Sequence, residues 1–474
     1  MIGVSRKPDI CGCQTEKRIG MKRNVNMLSG SITKGLLALS IPVIVMNVLQ
    51  NLFNMIDMTV LRNFAENADI AIGAIGATSF LTTLVTSLIF GVSTGANVIL
   101  ARNLGRGDGE AVKRSVGTAM AFVVVGSIAL MLVGILGAKQ FLIWTNCDQA
   151  LLPDATMYFQ LYFAASPLIV FCNFSGALLR AKGDSGSPMI YMTIGGVIKA
   201  LASAFAVVVL KMGLLGVSIA TIVSWGATAI LYARAVWKKD NPIYVDRGYI
   251  RFYKTELTGM LHIGIPAGMQ TALYSIANVV IQTAVNGFGK EATAGLGIAN
   301  IYDGIIYNIS VGAAAAVMPY MSQNIGAGSI DRAKKAMIKG IWITVLLGGG
   351  LGALSAAFSG PLSAIMSADP KVIAFSQQKM IIVSSAYFLC GINEILCAAL
   401  RSLKKPMIPT VATLTYMCGA RFVWVYGIYP LLPNNLSFLY LIWPIGWILS
   451  IVTLLPYYIF NMKKTEKELL AVEE

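Results

Sequence analysis

The chain has 474 residues, 56% of them hydrophobic and only 12% charged, yet it carries a net charge of +15. A soluble globular protein carries about 25% charged residues, so this composition argues against a water-soluble enzyme. A basic chain can signal nucleic acid, but that needs a basic face on a soluble domain; the same balance arises in a multispan membrane protein with basic cytoplasmic loops, and we expect no nucleic-acid partner.

Residues 1–35 form a polar, basic arm, and the apolar run after it starts too late for a cleaved signal peptide. Cys11 and Cys13 in this arm have no partners at zinc-binding spacing, and His262 is the single histidine, so no metal site is expected. Twelve apolar segments follow, at roughly 36–61, 72–100, 115–138, 155–179, 188–210, 213–236, 257–286, 294–323, 336–358, 376–400, 407–431 and 438–461. Most exceed the ~20 residues that span a bilayer, and they are too long for the strands of a membrane barrel. The fold class is therefore all-α, with twelve transmembrane helices.

Charge placement orients them. With the N-terminus inside, 29 of the 37 Lys and Arg fall in cytoplasmic stretches, as the positive-inside rule requires. Arg180 and Arg401 are read here as cytoplasmic loop residues and Lys379 as an external flank. Apart from the bases of the loops and their flanks, two remain, Lys199 and Arg421, both inside apolar segments. Both termini are expected in the cytoplasm.

The chain is also a tandem duplication. "SIPVIVMNVLQNLFN" matches "GIPAGMQTALYSIAN", setting Pro42 against Pro266 and Asn54 against Asn278. "ARNLGRGDGEAVKRS" matches "SQNIGAGSIDRAKKA", and "ALLRAKGDSGSPM" matches "AALRSLKKPM", which sets Arg180 against Arg401. The division is then an arm (1–35), an N-lobe of six helices (36–237), a linker (238–256), a C-lobe of six helices (257–461) and a tail (462–474). Parallel repeats of this kind are one transporter architecture, with access alternating as the halves rock.

Together, the paired "IP" entries, the "QNIGAG" loop with its copy "RNLGRG", and the "LLRAKGDSGSPM" and "ALRSLKKPM" joins resemble the multidrug and toxic compound extrusion (MATE) family. The stretch "PAGMQTALYSIANVVIQTAVNGFG" looks like its DinF-like branch. The resemblance implies a two-lobed, monomeric exporter in the bacterial plasma membrane. It implies amphipathic, drug-like, often cationic substrates, exchanged for protons or sodium with no other cofactor. It also implies that Asp57, in "LFNMID", matches a first-helix carboxylate that binds the coupling ion. Segment 5 departs from the family, with Lys199 and Ser203 standing where an Asn and an Asp are familiar. Glu394 sits about one turn beyond the family's acidic position in segment 10.

Ionisable residues inside spans are functional candidates: Asp57, Lys199, Asp303, Glu394 and Arg421. We expect ion coupling at Asp57, Lys199, Glu394 and Asp303, with Lys199 paired to Asp57 and Arg421 paired to Asp303 or Glu394. Asn47, Gln50, Asn51, Asn54 and Asp57 recur at helical spacing and form one polar stripe. Gln270, Tyr274, Asn278 and Gln282 form a second, and Asn300, Asp303 and Tyr307 a third. These stripes either line a cavity or bond neighbouring helices. With Asn173, the candidate substrate residues are Asn47, Asn51, Asn54, Gln270, Tyr274, Asn278, Gln282, Asn300 and Tyr307. No Walker motif is present, which argues against ATP drive, and no nucleophile–base pair points to an enzyme. A lipid-linked oligosaccharide flippase of the same superfamily is the alternative. The balance of two bases against three acids inside the segments argues against its pyrophosphate substrate.

Overall fold

The structure is a computed structural model that describes residues 25–433 and 435–473. Cys11, Cys13 and most of the basic arm lie outside the described residues. Helix α1 (Ile32–Phe64) starts at Ser31, whose hydroxyl accepts from the Lys34 N–H, a favoured N-cap chemistry. Helix α2 (Ala68–Arg106) ends on Gly107 at φ 71, a left-handed cap suited to glycine. Asp108 then caps α3 (Gly109–Trp144) by accepting from the Ala111 N–H. Helices α4 (Leu152–Ala164) and α5 (Ser166–Lys182) make one span bent by 47°, with Pro167 opening the second piece. The N-lobe closes with α6 (Gly186–Ala204), which runs into a π turn, and α7 (Gly213–Val236).

The C-lobe repeats this course. Helices α8 (Lys254–Asn286), α9 (Lys290–Gly326) and α10 (Ile330–Ile343) lead through a π turn to α11 (Gly350–Ala357) and the short α12 (Ser359–Met366). Helices α13 (Pro370–Lys379) and α14 (Tyr387–Ser402) form a second broken span, bent by 45°. Next come α15 (Met407–Ala412) and α16 (Ala420–Val423), joined by a π turn, then α17 (Leu436–Tyr440) and α18 (Ile442–Glu473). Among the described residues, eight helices are long and apolar enough to cross a membrane, and the two bent pairs raise this to ten. Helix α8, with its polar stripe, and the stretch 407–428, with its π turns, complete the all-helical fold of about twelve spans. Segments 4 and 10, expected as continuous helices, are broken near Pro167 and between Ser384 and Tyr387.

The core explains the shape. One buried cluster takes Leu36, Leu100 and Leu178 from the N-lobe together with Ile263, Tyr320 and Leu400 from the C-lobe. It lies at the end bearing the basic loops and joins the lobes there. Toward the opposite end the cores separate. Leu61, Leu142 and Val217 form an N-lobe cluster, and Ile281, Leu296 and Trp447 belong to a C-lobe cluster. The seam at the joined end is built on glycine. A Cβ on Gly105 would lie 2.0 Å from the Gln323 carbonyl oxygen, and one on Gly326 would lie 2.2 Å from that of Arg102. The two copies of the N-x-G-x-G loop thus press backbone against backbone across the molecule. Outward faces are apolar: Leu136 on α3 is 82% exposed, as befits a lipid-facing position.

Candidate functional site

The N-lobe holds an isolated ion pair. Lys199 of α6 lies 2.6 Å from Asp57 of α1, as the segment charges suggested, and also donates to Asn54 at 3.1 Å. Asp57 is buried, and its second carboxylate oxygen has no hydrogen-bond partner among the described residues. Leaving a buried carboxylate without its cation would be costly, which is the physical reason the pair holds. Asn51 and Asn54 are exposed and, like Asp57 and Lys199, stand off the central cavity. The helix-1 stripe therefore divides: Asn47 and Gln50 face the cavity, whereas Asn54 and Asp57 face α6.

Between the lobes lies a cavity of about 800 Å³. Asn47 and Asn173 reach it from the N-lobe. Gln270, Tyr274, Asn278, Gln282, Asn300, Asp303, Tyr307 and Glu394 reach it from the C-lobe. Several are already bonded to neighbouring helices. Gln270 donates to Thr413 at 2.7 Å and accepts from Arg401. Gln282 donates to Asn286 at 2.8 Å and Asn173 to the Ile169 carbonyl at 2.8 Å, each within its own helix. So the stripes act both as lining and as interhelical bonds. Asp303 is buried against Lys379 at 2.9 Å and accepts from the Ser384 hydroxyl at 2.7 Å; Lys379 also donates to Asn300. Glu394 faces the cavity without an ion-pair partner among the described residues.

Arg421 corrects the sequence expectation. It pairs with neither Asp303 nor Glu394, but donates to Asn278 at 2.6 Å and lies 5.0 Å and 5.1 Å from the ring centres of Tyr274 and Trp443. Of the two acids it was expected to meet, Asp303 is taken by Lys379.

A model of the MatE family matches residues 42–205 and 266–426, one copy in each lobe. The chain belongs to the MATE family. This MATE chain is 24% identical over 445 residues to the "Probable multidrug resistance protein YoeA" of Bacillus subtilis, covering 92% of this chain and 95% of the relative. It is 24% identical to the "FAD transporter" of Shewanella oneidensis, covering 83% of this chain and 87% of the relative. Its fold matches that of an outward-facing multidrug resistance MATE family transporter of the MOP superfamily. The TM-score is 0.86 at 17% identity, with coverage of 95% of this chain and all of that one. Family and fold agree with the twelve-span, duplicated, non-enzymatic reading.

Sequence reasoning about this MATE chain missed three cations at the cavity. Lys379, read as an external flank, is 2% exposed and bound to Asp303. Arg180 and Arg401, read as loop residues, both line the cavity. The lining therefore carries three bases, Arg180, Lys379 and Arg401, against two acids, Asp303 and Glu394. The sequence balance of two bases against three acids does not describe the cavity. One signal was available: Arg180 and Arg401 occupy equivalent places in the repeat.

Proposed function

We propose that this MATE chain is a secondary-active multidrug exporter that works by alternating access in a bacterial plasma membrane. Both termini then lie in the cytoplasm, on the side of the basic loops and the shared core, and the cavity opens away from it. The observation that carries this reading is the cavity of about 800 Å³ set between two lobes that share a core at one end only. Drug-sized ligands occupy sites of about 300–1,000 Å³, and rocking about the shared end would close one access and open the other. Its substrates are amphipathic, cationic ones among them, and Glu394, which makes no ion pair among the described residues although the Arg401 charge acts on it, is the acid to meet a cation. Coupling rests on Asp57, Lys199, Asp303 and Glu394. We assign protons rather than sodium as the coupling ion, because the Lys199 ammonium 2.6 Å from Asp57 stands where a sodium ion would bind. On the "PAGMQ" stretch we also place the chain in the DinF-like branch, and we take it to act as a monomer.

One observation favours the flippase alternative: three bases line the cavity. The volume favours a drug-sized ligand over a lipid-linked oligosaccharide. Cells lacking their own exporters and expressing this chain should accumulate less rhodamine 6G than controls. Equal accumulation, with and without an energised membrane, would contradict export.

A further inference from the structure

The duplication makes a controlled comparison between the lobes. Asn54 and Asn278 are equivalent, and each accepts a hydrogen bond from a base in its own lobe. In the N-lobe the base is Lys199, at 3.1 Å. In the C-lobe it is Arg421, at 2.6 Å. Three residues further along, the lobes differ. Asp57 of the N-lobe corresponds to Ile281 of the C-lobe. Lys199 thus has its carboxylate at 2.6 Å, and Arg421 has none.

Among the described residues no other acid takes that place. Asp303 is held by Lys379 at 2.9 Å and by Ser384. Glu394 faces the cavity and makes no ion pair with Arg421. Arg421 is 1% exposed, and its Nη2 has no hydrogen-bond partner among the described residues. Tyr274 and Trp443 set ring faces 5.0 Å and 5.1 Å from it, which attract a cation more weakly than a counter-ion does. A buried cation without a counter-charge is among the costliest arrangements a fold can hold. Arg421 does not itself line the central cavity, but its neighbours Tyr274, Asn278 and Trp443 do. A molecule in the cavity therefore lies against the shell around Arg421, in a lining with an excess of bases.

We propose that Arg421 receives an anionic group of the transported molecule, in the place where the N-lobe supplies Asp57 of its own. The ligand class is an aromatic amphipath with a carboxylate, sulfonate or phosphate ester. Its ring packs on Tyr274 and Trp443, and its anion completes the Nη2 of Arg421. Zwitterions fit as well, with the cationic end toward Glu394. The proposal rests on the export reading only for the claim that this ligand is transported.

The test uses the full chain purified in detergent and two xanthene dyes, anionic fluorescein and cationic rhodamine 6G, with binding read by fluorescence anisotropy. Fluorescein should bind the wild type. Arg421→Gln should weaken it about tenfold or more, the scale of a lost charge-assisted hydrogen bond, and Arg421→Lys should weaken it less. Ile281→Asp restores the N-lobe arrangement and should likewise displace fluorescein, with rhodamine 6G binding changed less than about threefold. Fluorescein that fails to bind the wild type, or that binds Ile281→Asp as it binds the wild type, overturns the proposal. If Arg421→Gln does not run as a monodisperse species, Ile281→Asp decides alone. Rhodamine efflux from cells reports on export separately: its absence with fluorescein binding intact rejects the exporter and leaves the anion site standing.

Discussion

Gly105→Ala tests the seam that seals one end of the cavity. The added methyl would sit 2.0 Å from the Gln323 carbonyl oxygen and 2.7 Å from its carbonyl carbon. These are backbone atoms of α9 and cannot rotate aside, so the helices must part. Overpacking of this kind costs roughly 1–3 kcal/mol. Alanine returns about 0.5–1 kcal/mol through its better helix propensity. The difference, about 0–2.5 kcal/mol, falls on the state in which the seam is closed, and shifts the population of that state by a factor of up to about 70. Gly326→Ala meets the Arg102 carbonyl oxygen at 2.2 Å and should act in the same direction. Hydrogen–deuterium exchange of the purified protein reads the effect. Peptides covering 96–107 and 318–329 should exchange faster in either variant, with peptides from α18 unchanged. Wild-type exchange in both peptides, with unaltered thermal stability, would refute the claim that these glycines seal the lobes.

Other expectations follow from the ion pairs and the chain ends. Lys199→Met leaves Asp57 buried without a counter-charge and should lower stability by about 3–5 kcal/mol, whereas the double variant Asp57→Leu/Lys199→Met should cost markedly less; thermal melts in detergent separate the two. Arg332 donates to the carbonyls of Met27, Ser29 and Gly30 at 2.7–3.0 Å and to the Tyr320 hydroxyl, so it pins the residues before α1 to the C-lobe. Arg332→Ala should destabilise by at least about 1.5–3 kcal/mol and speed proteolysis ahead of α1, as a limited digest would show. Lys404, in the loop after α14, is pushed down to about 8 by burial and then by Arg102 and Arg106. Its unfolded amine titrates higher, so the unfolded chain binds more protons between pH 8 and about 10.4, and this group's contribution to stability rises with pH across that window. Competitive acetylation followed by mass spectrometry should find Lys404 titrating near pH 8, and titration at the ordinary lysine value would contradict the burial argument.

What the sequence makes legible follows the physics of the bilayer. Twelve apolar runs and the alternation of basic loops give the spans, because each signal is summed over many residues. The Asp57–Lys199 pair was legible because two opposite charges in apolar helices have little else to bind. Lys379, Arg180 and Arg401 were not, because each lies at the edge of an apolar run, where a loop base and a cavity base look alike. The partner of Arg421 was misread because the choice among Asp303, Glu394 and Asn278 depends on how helices rotate against each other. The π turns at 413–419 and 424–428 flank this residue, and a period-based reading does not place them. The loop glycines gave the helix ends at Gly107 and Gly328. The contact of Gly105 and Gly326 across the lobes lies beyond local sequence altogether.

The central claim is ion-coupled export through the cavity, with Lys199 in place of a sodium ion at Asp57. It is tested most directly in proteoliposomes holding the purified chain and a pH-sensitive dye, with rhodamine 6G added and sodium and pH varied independently. The account predicts that substrate drives proton movement equally with and without sodium, and that Lys199→Ala changes the pH dependence of this exchange. Exchange that requires sodium, or a Lys199→Ala profile matching wild type at every pH, would contradict it.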